Sequence, residues 1–216
     1  MKIVYLGHSC FYIESETGVS ILTDPYTRVG YELPKSISSD IVLISHAHFD
    51  HNYVEAVEGT PIVVSSSGSC LINGVKIEGF DSWHDERNGA LRGKNILFHF
   101  AVDGIKFCHF GDLGQAFCED IASKLADADV WLIPVGGTYT ITVAQAVEYI
   151  EKLAPKLVIP MHYRPQDGAL DIAGAEEFLS KFEGKRVICC KNGKFTLDDA
   201  RLQELTGKIL YMERCK

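Results

Sequence analysis

The segment SHAHFDH, residues 45–51, constrains this chain most, because three histidines and an aspartate fall within the six positions from His46 to His51. The residues before it, DIVLIS, include four consecutive apolar side chains, a pattern that predicts a buried strand. The polar cluster would then sit at a strand end. A motif this dense rarely arises by chance, so we interpret it as a metal-binding loop rather than a solvated surface loop.

The spacing within the motif indicates two metal sites. His46 and His48 are two residues apart, so both side chains lean to one side of an extended chain and can bind one ion. Asp50 keeps that spacing and His51 breaks it, so the chain must turn there and can offer both residues to a second ion. Zinc takes about four donors, and a catalytic site keeps one position open, so further ligands are needed.

Candidates for the missing ligands lie downstream: His84 in DSWHDE, His109 and Asp112 in CHFGDLG, and His162 in PMHYR. A carboxylate in a glycine-flanked turn, such as Asp112, can bridge two cations. Neutral imidazole suits zinc, iron or nickel better than magnesium or calcium. His84 and His109 compete for one place in the first site, and the residues alone leave both open.

Composition limits the class of protein. The 216 residues are 46% hydrophobic and contain no linker-like stretch, which favours a single domain over 1–216. A net charge of −8 argues against nucleic acid as a partner and favours a small-molecule substrate. No segment resembles a signal peptide or a membrane span, so we expect a soluble cytoplasmic protein whose seven cysteines are reduced.

The order of strand and helix signals predicts the architecture. Short strand signals fill the first half, and helices are expected at NYVEAVE, EDIASKLAD, TVAQAVEYIEKL and near GAEEFLSKF. This order favours two packed mixed sheets with helices outside. Three segments, DIVLISHAH, DVWLIPVGG and KLVIPMHYR, read as buried strands ending on the same side, which would gather residues 46–51, 136–140 and 162–164 at one edge.

HAHFDH resembles the H-x-H-x-D-H signature of the metallo-β-lactamase superfamily, and LTDP, SWHD, HFGDLG and VIPMHY resemble its other motifs in order along nearly the whole chain. YLGHSCFYIE and PVGGTYTITVAQAVEYIEKLAPKLVIPMHYR resemble a branch of small stand-alone members that includes ascorbate-phosphate lactonases. The resemblance implies a four-layer αβ/βα sandwich that binds two zinc ions, with manganese or iron as other possibilities. It implies one metal on His46, His48 and His84, a second on Asp50, His51 and His162, and Asp112 bridging them.

Other polar residues have expected supporting roles. Asp24, at a strand end before Pro25, is predicted to orient a ligand imidazole, and His109 to support Asp112 unless it is itself a ligand. His8 and Arg164 are candidates for substrate contact, with Arg164 suited to an anionic group. The oligomeric state is left open.

These expectations combine into a metal-dependent hydrolase. A hydroxide bridging two divalent metals would attack a small, anionic lactone, ester or phosphodiester, and Asp50 would orient it and carry a proton to the leaving group. The alternatives are an iron-dependent redox enzyme on the same fold and a catalytically silent metal-binding protein.

Overall fold

The computed structural model describes residues 1–182 and 184–215, which form mainly β-structure. The strands are β1 Lys2–Gly7, β2 Cys10–Glu14, β3 Ser20–Thr23, β4 Ile37–Ser38, β5 Ile41–Leu43, β6 Val57–Glu58, β7 Ile62–Val64, β8 Gly68–Ile72, β9 Val75–Trp83, β10 Lys94–Val102, β11 Ile105–His109, β12 Val130–Pro134, β13 Leu157–Met161, β14 Val187–Cys190, β15 Lys194–Thr196 and β16 Lys208–Met212. The helices are α1 Glu119–Leu125, α2 Val143–Leu153, α3 Glu176–Ser180 and α4 Asp199–Glu204, with 3-10 turns at Val54–Ala56 and Gly184–Arg186.

Two large mixed sheets make the fold. One has the strand order β15-β1-β2-β3-β5-β7 and the other β14-β16-β13-β12-β11-β10-β9-β8. Apolar residues of both sheets, such as Ile13 and Phe98, share one buried cluster, to which the helices contribute residues such as Tyr149. The predicted pair of packed mixed sheets is confirmed.

Helix α2 follows its sequence signals closely. The Thr142 hydroxyl accepts a hydrogen bond from the Gln145 amide, and the Gln145 side chain accepts one from the Thr142 amide, so the predicted capping box is formed. Its buried residues, Val143, Ala146, Tyr149 and Ile150, recur at helical spacing and join the shared core. None of the described helices is long and apolar enough to cross a membrane.

The segment NYVEAVE does not form the predicted helix, so that prediction is wrong. Val54–Ala56 make a single 3-10 turn, and Val57–Glu58 then pair with β4. The apolar face of this sheet needs a cover, and Val57 joins that cover with Tyr26, Val29 and Ile37. Burial of this segment against the sheet overrides its short-range helical pattern.

The carboxyl ends of several strands deliver polar residues to one edge of the sandwich. β3 and β5 run parallel, as do β11, β12 and β13, so their ends lie on common sides. The His162 amide donates to the His8 carbonyl (2.7 Å), which ties an end of one sheet to an end of the other. In open α/β sheets this kind of edge is where ligands bind.

Candidate metal centre

Every predicted ligand follows a strand that ends at this edge. His46, His48, Asp50 and His51 lie beyond β5, His84 directly after β9, Asp112 three residues after β11 and His162 directly after β13. Two further residues arrive in the same way, His8 after β1 and Asp24 after β3. The ring and carboxylate atoms fall into two groups, which we call the outer site and the inner site.

The outer site consists of His46, His48 and His84, whose ligand atoms lie within 4.8 Å of one another. Their ring centroids are 4.6 Å apart for His46 and His48, 4.7 Å for His46 and His84, and 5.1 Å for His48 and His84. His84 is buried, whereas His48 faces solvent. Three imidazoles with one open side can hold a transition metal and still admit another ligand.

The inner site consists of His8, Asp50, His51 and His162, again within 4.8 Å of one another. The three histidines are buried, and the Asp50 side chain is 15% exposed. His8 was expected to contact substrate, but its Nε2 lies 3.2 Å from His51 Nε2 and 3.3 Å from Asp50 Oδ2. The structure therefore places His8 among the predicted metal ligands.

Asp112 lies between the two sites. Its Oδ1 is 3.2 Å from His51 Nε2, while its Oδ2 is 3.1 Å from His162 Nε2 and 3.3 Å from His84 Nε2. The backbone amide of Asp112 donates to Asn95 Oδ1 (2.9 Å), and the Asn95 amide group donates in turn to the Phe110 carbonyl (2.9 Å). This asparagine fixes the turn from within β10, and nothing in the local sequence marked it.

Several buried polar atoms of the centre make no hydrogen bond, although other atoms of the centre lie close to them. Among the described residues, His46 Nε2, both ring nitrogens of His162 and Asp112 Oδ1 have no hydrogen bond despite complete burial. Unsatisfied buried polar atoms are rare in folded proteins and often mark an ion site. Imidazole nitrogens combined with carboxylate oxygens suit zinc, iron or manganese, so the residues present fit a transition metal.

Asp24, which was predicted to orient a ligand imidazole, contacts residues of both sites directly or through Ser45. The buried carboxylate accepts hydrogen bonds from the Ser45 amide (2.7 Å), the Ser45 hydroxyl (2.6 Å) and His51 Nδ1 (2.8 Å). The Ser45 hydroxyl also lies 2.9 Å from His46 Nδ1. Because Asp24 engages Nδ1 of His51, Nε2 of that ring is left to face the inner site.

The two sites differ in charge without metal. Burial alone would lower the pKa of His51, but the carboxylates of Asp112 and Asp24 outweigh it and raise that pKa well above its usual value. Burial would raise the pKa of Asp112, yet His162 and His51 hold it well below the ordinary range. Burial lowers the pKa of His46 and His84, and it lowers that of His8 to about 4.

His109 does not reach the ligand groups. Its Nε2 lies 2.9 Å from the Ser9 carbonyl, and its Nδ1 accepts from the Gly111 amide (3.2 Å), so both ring nitrogens serve the main chain. It braces the turn before Asp112 rather than the Asp112 carboxylate. The geometry thus favours His84 for the outer site, whose Nε2 faces Asp112 directly.

One cavity is lined by Arg164, and another is lined by residues of the outer site. Arg164 is exposed and lines a cavity of about 850 Å³ together with Tyr31 and Arg214. A second cavity of about 580 Å³ borders the outer site itself and is lined by His46 and His48 among others. Arg92 and Lys94 also line this second cavity, so it presents cations next to the predicted metal ligands.

Asp85 organises the loop that follows His84. Its carboxylate accepts four backbone hydrogen bonds, from the amides of Arg87 (2.8 Å), Gly89 (2.9 Å), Leu91 (3.0 Å) and Arg92 (2.7 Å). Those bonds, offset in part by desolvation, lower the pKa of Asp85. The sequence signal for this role is weak: an aspartate, Asp85, that begins a turn containing a glycine, Gly89.

Comparison with known proteins agrees with this geometry. Residues 2–162 match the model of the beta-lactamase superfamily domain, a stretch that holds all the residues of both sites and Asp112. The chain belongs to this family and is a hydrolase of the metallo-β-lactamase superfamily, which confirms the resemblance of its motifs.

The relatives match most of the chain. A UPF0173 metal-dependent hydrolase of Pyrococcus furiosus is 29% identical over 225 residues, covering 90% of this chain and 98% of the relative. Another from Pyrococcus abyssi is 30% identical over 195 residues, covering 76% and 84%. A crystal structure from Thermotoga maritima, of a proposed Zn-dependent hydrolase of the metallo-β-lactamase superfamily, is 34% identical, covers 98% of each chain and superposes with a TM-score of 0.80.

Proposed function

We propose that the chain hydrolyses a small anionic lactone, ester or phosphodiester at a centre of two divalent metal ions, most suitably zinc. The outer site would hold one ion and the inner site the other, with Asp112 shared. The names of the Pyrococcus relatives support dependence on metal, and that of the Thermotoga protein supports zinc.

The observation that carries this proposal is the position of the Asp112 carboxylate. Its two oxygens face different partners, Oδ1 towards His51 and Oδ2 towards His84 and His162. A single carboxylate between two imidazole clusters is the arrangement that a pair of cations requires. A protein with one structural metal would have no use for the second cluster.

The side chains of the centre divide the work of hydrolysis. Bound cations would supply an acidified water as nucleophile and positive charge for the oxygen that becomes negative. The hydrogen bond from His8 and the positive charge of His51 outweigh burial and keep the pKa of Asp50 below its usual value, so this carboxylate is ionised and readily passes on a proton that it takes from the nucleophile. Asp50, partly exposed at the site, is placed to orient the nucleophile and pass that proton to the leaving group.

Charge favours an anionic substrate. Two divalent cations against the carboxylates of Asp50 and Asp112 would leave a net charge of about +2 within an acidic protein. The cavity beside the outer site adds Arg92 and Lys94 against a single carboxylate, Asp81. Arg164 lines the larger cavity, where the carboxylates of Asp167, Glu176 and Glu213 offset its charge. A carboxylate or phosphate group on the substrate would therefore be attracted to this edge.

Metal titration combined with a substrate screen tests the proposal. Metal-stripped protein reloaded with zinc should bind close to two equivalents and hydrolyse at least one lactone, ester or phosphodiester in a panel that also contains lactams. Asp112→Ala should abolish that activity, whereas Asp127→Ala, at an exposed aspartate paired with Lys106, should not.

A limit of one equivalent would contradict the shared centre, and two equivalents without any hydrolysis would favour a silent metal-binding protein. Iron in protein grown without excess zinc would favour the redox alternative.

A further inference from the structure

His8 is the residue of the centre that its sequence motif explained least. It follows Gly7 at the end of β1, its side chain is 1% exposed, and its backbone has a left-handed φ of 52°. Such a conformation is unusual for a residue with a side chain and occurs where surrounding contacts enforce it. His8 adopts this conformation while its ring lies among the predicted metal ligands, so a function of the ring would explain the unusual backbone.

The neighbours of His8 hold its backbone from two directions. Its carbonyl accepts hydrogen bonds from the His162 amide (2.7 Å) and from the Tyr5 hydroxyl (3.0 Å). A β-carbon at the preceding Gly7, where φ is 109°, would meet the Tyr31 and Arg214 side chains at 2.6 Å, so only glycine fits that position. The turn therefore aims the imidazole inward instead of leaving it at the surface.

The distances around the ring match those between ligands of one ion. Metal–ligand bonds of about 2.0–2.2 Å separate neighbouring donor atoms by roughly 2.8–3.6 Å, from the right angle between neighbours in sites of higher coordination to the tetrahedral angle. His8 Nε2 lies 3.2 Å from His51 Nε2 and 3.3 Å from Asp50 Oδ2. Since Asp24 engages His51 Nδ1, the Nε2 atom of His51 faces His8 Nε2, and two ring nitrogens this close require either a proton or a cation between them.

We propose that His8 is a direct ligand of the inner metal, together with Asp50, His51 and His162. This inference rests on the proposed two-metal centre. The inner site would then draw five protein donors, counting Asp112, against four for the outer site. Five donors exceed the usual set for zinc and suit ions of higher coordination number, such as manganese or iron, at that position.

Metal titration of His8 variants tests the proposal. His8→Gln keeps an amide that can donate a hydrogen bond to Asp50 but removes the imidazole. We expect His8→Gln and His8→Ala to bind the inner equivalent at least about 100-fold more weakly, beyond the loss typical of supporting residues. Cobalt-loaded variants should show a changed visible absorption at the inner equivalent. The matched control is His99→Gln, whose ring packs on Phe80 in β9 and should leave both equivalents unchanged.

The outcomes separate this inference from the function it rests on. If His8→Gln retains the affinity and the spectrum of the wild type, His8 is only a hydrogen-bond donor to Asp50 and the proposal is overturned. If the wild type binds a single equivalent, the two-metal function fails, and His8 is then judged by whether that equivalent depends on it. Should the variants fold poorly in circular dichroism, cadmium NMR on wild-type protein with labelled histidine decides: a scalar coupling between the metal and His8 Nε2 supports the proposal, and its absence overturns it.

Discussion

The inner and outer sites use the same kinds of side chain in different surroundings. Buried histidines from both sheets build the inner site, where carboxylates raise the pKa of His51 and histidines lower the pKa of Asp112. The outer site has one solvent-facing histidine, His48, and imidazoles whose pKa values burial lowers. The inner site is thus buried, and charged groups lie close together in it, whereas the outer site is more open to solvent.

The contrast suggests different duties for two metals that share one aspartate. A site with more donors, held by Asp24 and by the His8 turn, should bind its ion first and release it slowly. A more open site beside a cavity is better placed to exchange ligands and to meet substrate. Substitutions of ligands that belong to one site only can test whether the inner ion binds more tightly and the outer ion meets substrate.

The largest effect is expected where the two sites meet. Asp112→Ala removes the carboxylate that faces His51, His84 and His162 and leaves their positive charge or lone pairs uncompensated. Activity should fall by more than the roughly 100-fold that the loss of a supporting residue costs, and metal analysis should show both equivalents weakened. Loss of only one equivalent would mean that Asp112 belongs to a single site.

Single ligands should separate the sites. We expect His48→Ala to keep one tightly bound equivalent and lose the other, because only the open site depends on it. His162→Ala should lose the tight equivalent instead. Elemental analysis after dialysis measures both, and cobalt added below one equivalent should enter the same site in the wild type and in His48→Ala. Equal losses in both variants would remove the distinction between the sites.

The motif residues of this centre could be predicted from sequence because they are concentrated. His46, His48, Asp50 and His51 share one short segment, and His162 and Asp112 each end a recognisable apolar run. Asp24 also carried a signal, a strand end before proline. The inner role of His8 did not, because a Gly-His pair after a strand is compatible with any surface turn until the opposite sheet is in place.

The missed features depend on contacts distant in sequence. Asn95 reaches Asp112 from another strand, and Asp85 collects amides spread over the following loop. Similarly, the helix expected at NYVEAVE was replaced by a turn because an apolar sheet face needed Val57. Local sequence patterns therefore predicted the strands and the ligand loop. Contacts between distant segments determine which residues support the loop and which cover the sheet.

The choice between His84 and His109 can be tested in the same framework. His84→Ala should lose the weaker equivalent together with activity. His109→Ala should keep both metals and lose about 10–100-fold in rate or affinity, because it braces the Gly111 turn and lies 3.9 Å from Asp24. Thermal melts of the metal-free variants serve as the control for folding. The opposite pattern would assign the outer position to His109.

The pH dependence of stability should also differ with metal. In metal-free protein the folded pKa of His51 is raised, so its contribution to stability is complete below the ordinary histidine value of about 6.5 and is lost as the pH rises through the raised pKa. The folded pKa of Asp112 is lowered, so its contribution is complete above about 4 and is lost as the pH falls.

Metal replaces the proton on His51, so loaded protein should lack the alkaline decline. Melting temperatures measured across pH, with and without zinc, provide the comparison, and proton release during titration should be about one for the inner equivalent. His46 and His84 have lowered pKa values and should release none near neutral pH. An alkaline decline that persists in loaded protein would show that His51 is not a ligand.

The smallest effect concerns Arg164 and Arg92, which line different cavities. Arg164 was predicted to bind an anionic substrate group, but it is exposed, so solvent should limit Arg164→Ala to roughly 0.5–1 kcal/mol, a two- to fivefold rise in KM. Arg92 is half-buried, lies 5.5 Å over the Tyr139 ring and lines the cavity beside the outer site. Partial desolvation and a fixed plane favour a stronger bond to a carboxylate or phosphate, so Arg92→Ala should raise KM for an anionic substrate by more than Arg164→Ala does. An uncharged analogue of the same substrate is the control, and its KM should hardly change in either variant. A larger effect at Arg164 would place the anionic group in the 850 Å³ cavity, which Gly7 and Tyr163 help to line, and would reverse the assignment of substrate to the open side.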